Sequence, residues 1–261
     1  MTEHLGRYVE NDNISFAWGD VFDSLLQRGV NEIRAFTVTV KSNLNGEFVE
    51  NENIRHSLDK LLLHNQKYTC STVANTIFPK SLWNPSKARN NLYEKYLQLL
   101  PRIKKFNTVS RQCGLYFERL IDYGVGDNKI NQLEYIISTR LEKNNHRRSA
   151  LQACIVNPLL DHTHQPQRGF PCLQQISFTP ISENRLSLTA YYPHQYVFDR
   201  AYGNYLGLCY LGQFIAHEMG MVFSEMNCVV NIATLGSINK TDLNTLRLQE
   251  LIADEKEKQL S

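Results

Sequence analysis

The segment Asp199–Gly220 is apolar for most of its length and reads as a helix that needs cover on nearly every side. Strand-like runs bracket it. Cys172–Thr179 and Arg185–Tyr192 are two strands joined by Ile181-Ser182-Glu183-Asn184, and Asn227–Thr234 is a further apolar strand. A chain that sets a buried helix among such strands has to pack it on a sheet. Elsewhere helices and strands interleave without the regular spacing of βαβ units. The expected class is therefore α+β: a single domain over residues 1–261, with a mixed, mostly antiparallel sheet packed with helices.

Periodicity assigns the remaining segments. Ser15–Gly29 carries Phe16, Val21, Phe22, Leu25 and Leu26 at near-helical spacing, with Gly29 as the stop. Asn31–Ser42 switches to period two, with Phe36, Val38 and Val40 alternating with Thr37, Thr39 and Lys41. Ile54–His64 returns to helix through Leu58, Leu61 and Leu62. Thr69–Pro79 has β character. Pro85 opens a helix through Leu92, Tyr93, Tyr96, Leu97 and Leu100, which Pro101 is expected to stop. Gly124–Asn128 is a turn. Lys129–Asn144 is an amphipathic helix with Ile130, Leu133, Ile136, Ile137 and Leu141 on one face. Ala150–Val156 is a strand and Leu159–Gly169 a polar loop. Lys240–Lys258 is a charged closing helix with Leu243, Leu246, Leu248 and Leu251 available for packing.

Charge and cysteine usage narrow the classes of function. The formal net charge is +2 with both signs mixed, which gives no bulk electrostatic case for nucleic acid. Met1–Asn13 is polar and has no apolar h-region, so no secretory signal is expected. There is no run of 18 apolar residues, so no membrane span is expected either. The six cysteines show no CxxC spacing and read as reduced thiols of a cytoplasmic protein.

Residues that carry chemistry gather around Arg168–Asn204 and the arginines upstream. Cys172 directly follows Pro171 at the mouth of a strand, a placement that suits a nucleophile and equally a small buried hydrophobe. Arg147 and Arg148 lie between a helix end and a strand start. Such a pair is either a solvated corner or, through two planar donor forks, a phosphate clamp. Cys154, His162, His164 and Cys172 have a spacing that is not a common zinc pattern, and His217-Glu218 lacks the second histidine of an H-E-x-x-H helix. No metal is expected.

The order of these parts resembles the thymidylate synthase family, which includes nucleotide hydroxymethylases. The elements in sequence are Asn131-Gln132-Leu133 and Ile136-Ile137 on a helix, Asn144-Asn145-His146-Arg147-Arg148, Asn157-Pro158, Pro171-Cys172, Leu186–Tyr191, Val197-Phe198 and Gly203-Asn204. The resemblance runs over residues 114–236. It implies that Cys172 attacks C6 of a pyrimidine nucleotide, and that C5 then receives a one-carbon unit from 5,10-methylenetetrahydrofolate. It further implies that Arg147 and Arg148 bind the nucleotide phosphate of the other subunit in a sheet-face homodimer. Asn204 would read the pyrimidine edge, since an amide both donates and accepts. Tyr116 would assist proton removal at C5.

The chain also departs from the family's pattern. Pro193-His194 stands where the family has Arg-Ser, which removes a cation from the phosphate and the thiolate. His194, if protonated, could replace part of it, and Arg200 follows nearby. Tyr196 stands in place of a folate-contacting aspartate, and Thr234 and Gly236 in place of a ribose-binding His-x-Tyr. Glu94 and Glu118 are candidates for the catalytic glutamate. The chain ends in a charged helix rather than the family's long segment that closes over folate. Two functions remain: a transferase of methyl or hydroxymethyl units to C5, or a non-catalytic relative that binds a nucleotide or a protein.

Overall fold

A computed structural model describes residues 8–106, 115–142, 147–162, 170–182 and 184–260. Cys113, His146, His164 and Arg168 lie outside the described residues. Six strands form one sheet: β1 (Tyr8–Asn11), β2 (Glu32–Lys41), β5 (Gln152–Cys154), β6 (Gln175–Pro180), β7 (Arg185–Tyr196) and β8 (Val222–Thr234). Their spatial order is β1-β2-β8-β7-β6-β5. The β2/β8, β6/β7 and β5/β6 pairs are antiparallel, and β1/β2 and β7/β8 are parallel. The sheet is thus mixed and mostly antiparallel. A separate hairpin pairs β3 (Tyr123–Val125) with β4 (Asn128–Ile130).

The helices among the described residues are α1 (Ile14–Leu26), α2 (Glu52–His64), α3 (Cys70–Ile77), α4 (Asn90–Phe106), α5 (Tyr116–Ile121), α6 (Gln132–Glu142), α7 (Pro158–Asp161), α8 (Tyr202–Glu218) and α9 (Leu243–Leu260). Parallel neighbours need a crossover, and the apolar helix α8 supplies the one between β7 and β8. It is covered by the sheet on one side and by α3 and α1 on others. Glycines permit the close approach to α3. A Cβ at Gly203 would sit 2.5 Å from Val73 Cβ, and one at Gly207 would sit 2.8 Å from the Ala74 carbonyl oxygen.

That packing explains why Thr69–Pro79 is not a strand. Thr69 caps α3, its hydroxyl accepting from the Thr72 amide at 3.3 Å. Cys70, Val73, Ala74 and Ile77 then bury a helical stripe. Tertiary contact with the glycine face of α8 overrides the β preference of Thr, Val and Ile. Pro101 likewise lies inside α4 rather than ending it. Pro101 and Leu97 are both exposed, so the Leu97 carbonyl that loses its helical donor can turn to water. In α6 only Leu133, Ile136 and Ile137 of the expected face are buried. Ile130 belongs to β4 and Leu141 is exposed. In α9 the buried positions are Thr245, Leu248, Ile252 and Glu255, whereas Leu243 and Leu246 are exposed.

The two faces of the sheet differ. Phe36, Val38 and Val40 of β2, Met226, Cys228 and Val230 of β8, and Leu188, Ala190 and Tyr192 of β7 are buried. The alternate positions carry a polar ladder instead. Thr39 donates to Asn227 Oδ1 at 2.6 Å, and the Asn227 amide donates to Ser187 Oγ and Glu225 Oε1, each at 3.1 Å.

Candidate active site

A cavity of about 790 Å³ opens between α3, α4, α5, the Phe170–Cys172 segment and the C-terminal end of β7. It is within the size range of small-molecule sites. Cys172, Tyr116, His194 and Asn204 all line it, although they come from four separate parts of the chain. Among the described residues Arg147 and Arg148 do not line it. They are exposed, at the short 3₁₀ turn Arg148–Ala150 that precedes β5.

Cys172 stands in the bend just before β6 and is partly buried. Burial pushes its thiol up, and the Arg200 guanidinium partly opposes this. At neutral pH the resting group is therefore the thiol, and attack requires removal of its proton. Tyr116 opens α5. Burial, and then the neighbouring Cys172, push its phenol up to about 12, against the backbone amides of Leu173 and Cys172 that face its oxygen. A phenol held this high is a hydrogen-bond donor at neutral pH and a weak base by itself.

His194 lies on β7 with Nε2 3.2 Å from Thr234 Oγ1, and its ring meets Tyr196 edge-on at 4.7 Å. The next residue, Gln195, is fixed from below: Tyr205 donates to its Oε1 at 3.1 Å. Asn204 is 5% exposed and lines the cavity, yet among the described residues its amide has no hydrogen-bond partner. Its donor and acceptor are therefore available to a ligand or to water.

The candidate glutamates are elsewhere. Glu118 accepts from Lys104 at 2.6 Å and from the Leu115 amide at 3.2 Å, and Glu94 is exposed on α4. Neither lines the cavity, and no aspartate or glutamate does among the described residues.

No family model matches the chain. A stretch of 108 residues is 34% identical to a protein of Methanocaldococcus jannaschii named "Putative thymidylate synthase", covering 41% of this chain and 47% of that protein. The match supports a distant thymidylate synthase-like relationship. It spans about half the length of the curated relative it matches. The α+β fold with its six-stranded mixed sheet is compatible with that relationship.

Two features of this cavity escape a reading of the sequence. One is its α3 wall, with Thr72, Asn75 and Thr76, hidden because that segment looks like a strand. The other is Arg119 on α5. It donates to both Asp161 oxygens at 2.6 Å and to the Ile155 carbonyl at 2.6 Å, and it is 6% exposed. Its separation of 42 residues from Asp161 leaves no local pattern to detect.

Proposed function

We propose that the chain is a thymidylate synthase-like transferase that uses Cys172 to activate a pyrimidine nucleotide for one-carbon transfer at C5. The observation that carries this reading is the convergence of Cys172, Tyr116, His194 and Asn204 on one cavity. The distant relationship supplies the reaction class.

The chemistry follows from those groups. Cys172 loses its proton and Sγ bonds to C6 of the ring. The C5–C6 electron pair moves to C5, with charge shared onto the C4 oxygen. Asn204, whose amide has no hydrogen-bond partner among the described residues, can hold the N3 and O4 edge through one donor and one acceptor. C5 bonds to the one-carbon unit as that unit's bond to its carrier breaks and the carrier keeps the electron pair. The C5 proton then departs, the pair it leaves re-forms the C5–C6 double bond, and Sγ is expelled from C6 and takes up a proton to restore the thiol. The Tyr116 phenol, protonated at neutral pH, hydrogen-bonds near C5 and relays that proton onward rather than trapping it.

The one-carbon donor implied by the relationship is 5,10-methylenetetrahydrofolate, which when bound supplies the unit transferred. The residues present fit a flat aromatic group: Tyr96, Leu99, Ile103 and Leu115 give the lining apolar surface beside its polar groups. The sheet face that carries the polar ladder is the surface through which a homodimer would form. Such a dimer would bring Arg147 and Arg148 to the partner's nucleotide. Light scattering that finds a monomer removes that cross-subunit role. Among the described residues no helix is long and apolar enough to cross a membrane.

A second reading, a nucleotide-binding relative without catalysis, is favoured by one observation: the described lining holds no carboxylate to act as a base. The two readings separate by incubation with pyrimidine nucleoside monophosphates and methylenetetrahydrofolate. The transferase gives a product heavier by one carbon unit, and Cys172→Ala abolishes it. A wild-type protein that binds nucleotide with no product on a broad panel leaves the binding module.

A further inference from the structure

Two arginines line the cavity, and only one is committed to the protein. Arg119 gives its donors to Asp161 and Ile155. Arg200 has no carboxylate within ion-pair distance among the described residues. Its neighbour Asp199 does not serve it. Asp199 accepts from the Ser237 amide at 3.2 Å and hydroxyl at 2.7 Å, and pairs with Lys67 at 3.5 Å. Gly236, at φ +102°, makes room for that contact, since a Cβ there would stand 3.1 Å from the Asp199 carboxyl carbon.

Local structure aims Arg200 at the cavity. It sits on a five-residue π-helical turn, Val197–Ala201, inserted between β7 and α8. Such insertions are frequent at functional sites because they re-aim side chains. Arg200 and Asn204, four residues apart across this junction, both line the cavity with Cys172. The guanidinium carbon lies 5.2 Å from the centroid of the Tyr68 ring, which orients the fork. The described lining contains no acidic side chain to neutralise it.

We propose that Arg200 is the anion-binding residue of this cavity, taking a phosphate or carboxylate of the ligand from within the same chain. The inference deepens the transferase reading and rests on it only for the ligand's identity. The guanidinium also favours the Cys172 thiolate against burial. The other groups near the thiol are Tyr116, pushed up to about 12, the buried Tyr192, also pushed up, and His194. Neutral phenols supply no positive charge.

The test uses site-resolved alkylation of the full chain by iodoacetamide, read by peptide mass spectrometry. The exposed Cys154 serves as the internal reference. In Arg200→Gln, Cys172 alkylation at neutral pH should slow at least about threefold and its pH midpoint should rise, with Cys154 unchanged. Arg200→Lys should recover most of the rate. Inorganic phosphate, against chloride at equal ionic strength, should protect Cys172 in the wild type and not in Arg200→Gln. Nucleoside monophosphates protecting better than nucleosides identify a nucleotide phosphate as the anion. Protection by folate that depends on its glutamate tail identifies a carboxylate instead. Unchanged Cys172 rates in Arg200→Gln, or phosphate protection that survives this substitution, would overturn the proposal. Protection without one-carbon transfer would keep it and remove the transferase reading.

Discussion

The two arginines of the cavity show how one residue type can be used in opposite ways within a single site. On the α5 wall, Arg119 is almost fully buried, and two carboxylate oxygens and a carbonyl take up its fork. On the wall formed by the π-helical turn, Arg200 is exposed, stacked on Tyr68 and without an acidic partner among the described residues. A buried guanidinium needs its partner, because an ion left unpaired away from water is strongly unfavourable. An exposed one does not, so its charge is available to a ligand. Arg119 therefore holds the wall in place, whereas Arg200 is free to bind.

The largest expected effect breaks that comparison on the structural side. Arg119→Met leaves Asp161 buried and unpaired and should lower unfolding free energy by about 3–5 kcal/mol, measured by urea denaturation. Replacing both partners with apolar residues should recover most of the loss, because the orphaned charge is what costs. An Arg119→Met protein as stable as wild type would refute the division of roles. On the other wall, Arg200→Gln should change stability by no more than about 0.5 kcal/mol in the same assay. A large loss there would make Arg200 structural as well.

Between these extremes lies the α3–α8 contact that sets the width of the cavity. Gly203→Ala forces a methyl to within 2.5 Å of Val73 Cβ and should cost about 1–3 kcal/mol. Removing the α3 cap with Thr69→Ala should cost about 1 kcal/mol, visible as a lower melting temperature. A further effect is one of pH. The Tyr116 phenol ionises near 10 in the unfolded chain and near 12 in the folded one. Its contribution is complete below pH 10 and is lost as the pH rises towards 12, because the unfolded state releases its proton first. Urea midpoints should therefore fall between pH 10 and 12, and Tyr116→Phe should flatten part of that fall.

How much of this was visible in the sequence depends on the scale of the signal. Alternation revealed β2, and strand-like runs revealed β6, β7 and β8. The apolar run revealed α8. The segment of α3 was misread because its helix is held by glycines more than 120 positions downstream, which no local propensity records. Pro101 was misread because its cost falls on a carbonyl that water can reach. Cys172, Tyr116, His194 and Asn204 were legible as candidates, and the structure brings all four to one cavity. Arg147 and Arg148 it leaves outside the lining. The Arg119–Asp161 pair and the commitment of Asp199 to Ser237 were not legible, since each joins positions distant in the chain.

Cys172 is proposed to activate a pyrimidine ring for substitution at C5. The most direct measurement is release of tritium from C5-labelled pyrimidine nucleoside monophosphates in the presence of methylenetetrahydrofolate. The account predicts release by the wild-type protein and none by Cys172→Ala of equal stability. Release that survives Cys172→Ala, or its absence from the wild type across the panel, would contradict it.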